Sequence, residues 1–152
     1  MKSLDEILYD AITADETLTA LTGGRVVSTC FEVPPDEEDN TPLPNIIIVN
    51  NGFQNQATTK DNLWESCEDR VVATVDIAAT SPAEVIRIVK LVRKAIETHI
   101  ASIYANGNDI PYLDSLSGSD IAWDWMKPCY HQVLTYQCIT QSDLEDEQEE
   151  TT

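Results

Sequence analysis

Apolar residues recur at helical spacing from the start of the chain. Leu4, Ile7, Leu8, Ala11 and Ile12 form one stripe. Ser3 precedes Glu6 by three residues, the spacing of a capping box, which predicts a helix beginning near residue 4. Asp15 then predicts the cap of a short second helical turn carrying Leu18 and Leu21. Gly23-Gly24 ends it, because glycine enters the left-handed conformation beyond a helix without a steric penalty. The β-branched residues between Arg25 and Val33 predict a first strand. Within residues 45–50, Ile46-Ile47-Ile48-Val49 is an unbroken apolar run, short enough for a buried central strand. From about Ser66 to Ala79 the pattern mostly alternates. Val71, Ala73, Val75 and Ile77 share one face, while Arg70, Thr74 and Asp76 share the other with Val72 as the exception. This predicts a long half-buried strand, paired as a hairpin with residues 45–50.

Ser81-Pro82-Ala83-Glu84 combines an N-cap serine, a proline at the first helical position and a glutamate at the third. The helix it opens is predicted to reach about Ser102, with Val85, Ile88, Val89, Val92, Ile96 and Ile100 toward the core. Arg87, Lys90, Arg93 and Lys94 line its outer side. Asp120–Met126 and Tyr130–Thr140 predict two more strands, turned at Lys127-Pro128, with Ile121, Trp123 and Trp125 on one face. Residues 34–44, 51–62 and 104–118 read as loops by composition. The order α, β, β, β, α, β, β predicts an α+β fold: a mainly antiparallel sheet of about five strands with two main helices on one face. No internal repeat is visible. Residues 1–141 are expected to make a single domain, and the acid-rich 142–152 a disordered tail.

Charge narrows the function classes. The 152 residues hold 27 Asp and Glu against 9 Lys and Arg, a formal charge of −18. Grip on a phosphate backbone comes from neutralising it with Lys and Arg, so no specific nucleic-acid binding is expected. An anionic membrane surface is disfavoured for the same reason. No signal peptide or membrane span is expected at the N-terminus. The four cysteines, Cys30, Cys67, Cys129 and Cys138, form no C-x-x-C pair, which points to an intracellular chain with reduced thiols.

Candidate chemistry is thin. Arg25 reads as a structural anchor at a strand start, with a substrate clamp as the alternative. Cys129, His131 and Cys138 offer three zinc-type ligands, but no second pair supplies a fourth. A cysteine with His99 or His131 has the residue types of a nucleophile–base couple, without a local signature; an inert buried thiol is the plainer reading. The acidic runs Asp36-Glu37-Glu38-Asp39 and Glu145-Asp146-Glu147 sit in loop-like segments, whereas acid–base catalysis needs fixed geometry. Gly23-Gly24 lacks the following Lys-Ser or Lys-Thr of a phosphate loop. No catalytic residue, cofactor or metal is therefore expected, and the chain reads as not an enzyme. Phe53, Trp64, Trp123 and Trp125 remain. Large aromatics first suggest core, and second suggest protein–protein anchors. Phe53, in a polar segment, is the one expected to be exposed.

Three segments together resemble the small tail-terminator and tail-completion proteins of long-tailed phages and prophages. They are Leu18-Thr-Ala-Leu-Thr-Gly-Gly-Arg-Val-Val27, then Pro42-Leu-Pro-Asn-Ile-Ile-Ile-Val49, then Arg70-Val-Val-Ala-Thr-Val-Asp-Ile77 followed by the Ser-Pro-capped helix. Asn45 stands where that family usually has an aromatic residue. The match covers residues 4–103 and extends loosely to Val133–Ile139. The resemblance implies a non-catalytic ring, typically of six subunits, that caps the tail tube and meets the head connector or a neck protein. It implies assembly in the host cytoplasm and residence in the virion tail. The acidic 34–44 loop, the 104–118 segment and the acidic tail have no counterpart in the family pattern. Two alternatives stand beside it: a neck or assembly adaptor acting as monomer or dimer, and a metal protein using Cys129, His131 and Cys138.

Overall fold

The computed structural model describes residues 3–28, 42–57, 67–105, 112–125 and 128–141. In chain order these form α1 (Leu4–Thr13), α2 (Glu16–Thr22), β1 (Val26–Ser28), β2 (Asn45–Ala57) and β3 (Cys67–Ala79). They are followed by α3 (Pro82–Ala105), β4 (Tyr112–Gly118), β5 (Ala122–Asp124) and β6 (Cys129–Gln141). The fold is α+β: six strands in one sheet, ordered β1-β2-β3-β6-β4, with β5 also paired to β6. Among the described residues only β1 and β2 run parallel, and every other pairing is antiparallel.

Alternation along the central strands decides which face is buried. Ile46 and Ile48 of β2 lie opposite Ile77 and Val75 of β3, and Val75 in turn lies opposite Leu134 of β6. These side chains join Leu8 and Ile12 of α1, Leu18 of α2, and Val85, Ile88, Val92 and Ile96 of α3 in one core. The helices thus cover one face of the sheet, α1 over the β1–β2 half and α3 over the β3–β6 half. The other face carries Ile47, Val49, Thr74, Asp76, Val133 and Thr135, all only half-buried.

Local signals explain the ends of the helices. The Asp15 carboxylate accepts from Leu18 N–H at 2.9 Å, and Gly23 closes α2 with φ +62°. Ser81 Oγ accepts from Glu84 N–H at 3.2 Å. Its predicted box is only half formed, because Glu84 Oε2 instead accepts from the Thr80 hydroxyl at 3.0 Å. At α1, Ser3 makes no side-chain cap at all, and its carbonyl alone accepts from Ile7 N–H.

Three boundaries depart from the sequence reading. Residues 51–57, read as loop, continue β2, and residues 112–118, also read as loop, form β4. The strand expected over 120–126 shrinks to Ala122–Asp124. β4 pairs only with β6 and carries an irregularity between Leu113 and Ser115, so it needs few of the β-branched residues that mark a central strand. The expected order otherwise holds, with β4 added and the first helix resolved into α1 and α2. Residues 29–33 of the expected first strand, the acidic run 36–39 and the tail 142–152 lie outside the described residues.

Candidate functional site

The exposed aromatic residues are the first candidates. β5 projects Trp123 next to Tyr130 of β6, their ring centroids 4.7 Å apart and steeply tilted. Trp125 stands edge-on to Trp123 at 5.8 Å. Period two puts Ile121, Trp123 and Trp125 on the same side, as their spacing predicts. Burial falls away along that line: Ile121 packs on the core, Trp123 is 37% exposed and Trp125 is 85% exposed. The core reading therefore fails for Trp125 and holds only in part for Trp123. The reason is position, since β5 pairs only with the first residues of β6, at an end of the sheet.

Phe53 is 71% exposed and sits on β2 rather than in a loop. Asn50 pairs with Ala73 and Phe53 with Val71, so two β2 residues oppose one on β3. Gly52 makes this bulge possible with φ +89°, and its N–H donates to Asn50 Oδ1 at 2.7 Å. A bulge of one residue reverses the alternation. Before it, the odd positions Ile47 and Val49 face away from the helices; after it, Phe53 shares the helix side with Val71. Phe53 and the tryptophans thus lie on the same side of the sheet at opposite ends. Their β3 neighbours, Val71 and Ala79, are eight residues apart, or about 27 Å at strand spacing. Trp64 lies outside the described residues.

The polar candidates separate. Cys129 and Cys138 are nine positions apart on β6, roughly 30 Å, and an odd separation points them to opposite faces. The three-ligand reading of Cys129, His131 and Cys138 is thereby overturned. Among the described residues no three His, Cys, Asp or Glu side chains group as metal ligands. Both thiols are buried, and burial pushes Cys138 up to about 11, so it is an inert thiol. His131 Nδ1 approaches Asp76 Oδ1 at 3.4 Å on the open face, while His99 belongs to α3 across the sheet.

Arg25 is an anchor. Its Nε donates to the Pro44 carbonyl at 3.0 Å, and its own carbonyl accepts from Ile46 N–H at 3.1 Å. The arginine thereby stitches the α2–β1 junction to the start of β2. The charge of α3 was legible from sequence, and Arg87, Lys90, Arg93 and Lys94 are all exposed. Two exposed apolar residues were missed: Ile86 beside that row and Leu116 on β4. Ile86 is detectable as the apolar residue that falls off the core stripe of its helix. No described helix is long and apolar enough to cross a membrane.

No family model matches the chain, and no curated protein matches it. Among solved structures, a chain from the virion of a native gene transfer agent particle aligns with 90% of this chain and 94% of its own length. The identity is 14% and the TM-score 0.43.

Proposed function

We propose that this chain is a non-catalytic structural protein of a tailed-phage-type virion, a tail terminator. In this reading it caps the tail tube as a ring, typically of six copies, and joins it to the head connector or neck protein. The observation that carries the reading is the physical union of the three segments that resemble the family. Arg25, from the first, bonds to Pro44 in the second. β1 and β2 then pair in parallel, β2 pairs with β3, and the Ser81-capped α3 follows. Three marks that are separate in sequence form one contiguous unit. The two exposed aromatic sites, at opposite ends of the sheet, suit a protein held between two different partners. Tryptophan is the residue most enriched among interface anchors.

The decisive experiment deletes the gene from its phage or prophage and examines the particles by electron microscopy. The expected result is filled heads and tails that fail to join, restored by supplying the chain in trans, with the tagged protein found at the head-proximal end of the tail. Intact infectious particles from the deletion would overturn the reading. An adaptor acting as monomer or dimer would also use two ends, and the copy number on the particle separates the two.

A further inference from the structure

The helix layer is divided by charge. α1, α2 and the turn between them carry Asp5, Glu6, Asp10, Asp15 and Glu16 without one basic residue. Asp5 is buried; the other four reach solvent in whole or part. α3 carries Arg87, Lys90, Arg93 and Lys94, all exposed, with Ile86 beside them and the acids Glu84, half-buried, and Glu97, exposed, bounding the row. Arg87, Lys90 and Lys94 follow the i, i+3, i+7 spacing of one helix face and span about 10 Å. Of the other five basic residues, Arg25 is bonded to Pro44 and Arg70 is half-buried, while Lys2, Lys60 and Lys127 lie outside the described residues. α1 covers the β1–β2 half of the sheet and α3 the β3–β6 half, so the acidic and basic surfaces occupy opposite flanks of one layer.

We infer that these flanks form a head-to-tail contact between copies of this chain, the α3 row of one copy meeting the acidic α1–α2 surface of the next. This rests on the self-assembling role proposed above and names the surfaces that serve it. A chain of formal charge −18 repels its own copies, and association needs a local patch of opposite sign. The α3 row supplies one, and its complement lies on the same molecule. Unlike surfaces on opposite flanks make a heterologous contact, the kind that builds a ring when its rotation closes and a filament when it does not. Complementary charge also fixes which surface meets which. A duplex nucleic acid is the less fitting occupant, because the rest of the chain would repel it.

The test uses sedimentation velocity of the full chain at about 0.05 and about 0.5 M salt, together with two charge-reversed variants. Arg87→Glu/Lys90→Glu/Lys94→Glu leaves only Arg93 against three new carboxylates and makes both flanks acidic. Glu6→Lys/Asp10→Lys/Glu16→Lys leaves only Asp5 and Asp15 against three new lysines and makes the acidic flank basic. Native chain is expected to assemble at low salt and dissociate at high salt. Each variant alone is expected to associate at least about 30-fold more weakly, since like charges then face each other. An equimolar mixture of the two is expected to assemble again, because both contacts regain opposite signs. Variants are compared only where they keep the native thermal transition; otherwise Lys90→Gln/Lys94→Gln takes the place of the reversal, with a loss of about 3-fold or more expected.

A native chain that stays monomeric at low salt overturns the inference. So does assembly that ignores both reversals, or a folded mixture that fails to recover. Binding of a short DNA duplex that Arg87→Glu/Lys90→Glu/Lys94→Glu abolishes also overturns it, and reassigns the row to phosphate. Any of these leaves the tail-terminator reading to be decided by the gene deletion.

Discussion

The two faces of the sheet are built from the same strands but do different work. On the covered face, Ile46, Ile48, Val75, Ile77 and Leu134 are sealed by three helices. On the open face, Ile47, Val49, Val133 and the Asp76–His131 pair stay half-exposed. One residue of register separates the two sets, and that single step moves a side chain from the core to the surface. Folding free energy should therefore reside almost entirely on one side. The other side, the sheet ends and the outer helix surfaces are left free to change with partners.

The sharpest way to break this comparison is to shorten one side chain on each face. Ile77→Ala opens a cavity in a fully buried site and is expected to cost about 3 kcal/mol. Val133→Ala, on the open face, is expected to cost under about 1 kcal/mol. Urea unfolding of both variants makes the measurement. Equal losses would mean that the open face is packed as tightly as the covered one.

Alkaline pH probes the covered face by another route. Burial pushes the Cys138 thiol up to about 11 and the Tyr136 hydroxyl up to about 12, with Arg93 pulling the latter down and Glu97 pushing it up. Both groups are held protonated in the folded state beyond their ordinary values of 9.0 and 10.0. Between those values the folded chain holds more protons than the unfolded one, so stability is complete below pH 9 and falls as pH rises to 12. Cys138→Ala is expected to flatten the fall between pH 9 and 11, and Tyr136→Phe that between 10 and 12. Among the described residues Tyr136 Oη is buried without a hydrogen-bond partner, so Tyr136→Phe should cost little at neutral pH. Thermal unfolding across this range reads all three effects, and unchanged slopes would show that neither group senses the core.

Sequence pattern revealed the covered face far better than the rest, for a physical reason. Burial on one side imposes alternation, and β3 shows it from Val71 to Ile77. The α3 core stripe and the Gly23 stop were legible for equally local causes. β2 beyond Asn50 was not, because residues 51–54 are all exposed and no buried face is there to write a pattern. Gly52 was the available clue, a glycine in a strand that marks a bulge. β4 was hidden by Ser115, Ser117 and Gly118, which an edge strand tolerates. The separation of Cys129 from Cys138 was readable all along, since an odd spacing on one strand puts them on opposite faces. What Trp123 and Trp125 do was not readable. Period two fixes their side of the sheet but not whether a helix reaches over them.

A smaller effect belongs to the junction that ties the covered face to its first helices. Gly23 holds φ +62°, and a Cβ placed there would stand 2.5 Å from Arg25 Nη1. Gly23→Ala therefore combines a left-handed backbone penalty with displacement of the guanidinium that anchors Pro44. We expect a loss of about 1–2 kcal/mol. Gly24→Ala serves as the control, since a Cβ at Gly24 meets nothing within 4 Å although its φ is also positive. The difference between the two isolates the Arg25 contact from the backbone term. Equal losses would assign the whole effect to backbone conformation and none to the anchor.

The smallest effect is expected on the open face itself. His131 Nδ1 and Asp76 Oδ1 stand 3.4 Å apart; the side chains are 31% and 40% exposed, although Oδ1 itself is buried. An ion pair so placed is screened by water and salt, and its formation restricts two side chains, so its net contribution is small. Asp76→Asn is expected to change stability by about 0.5 kcal/mol or less, and added salt should erase even that difference. Urea unfolding of the full chain at low and high salt measures it. A loss several times larger, insensitive to salt, would mean that the burial of Oδ1, and not the exposure of the rest of the side chain, sets the strength of the pair. The open face would then contribute to stability as the covered one does, and the asymmetry between the two faces would be lost.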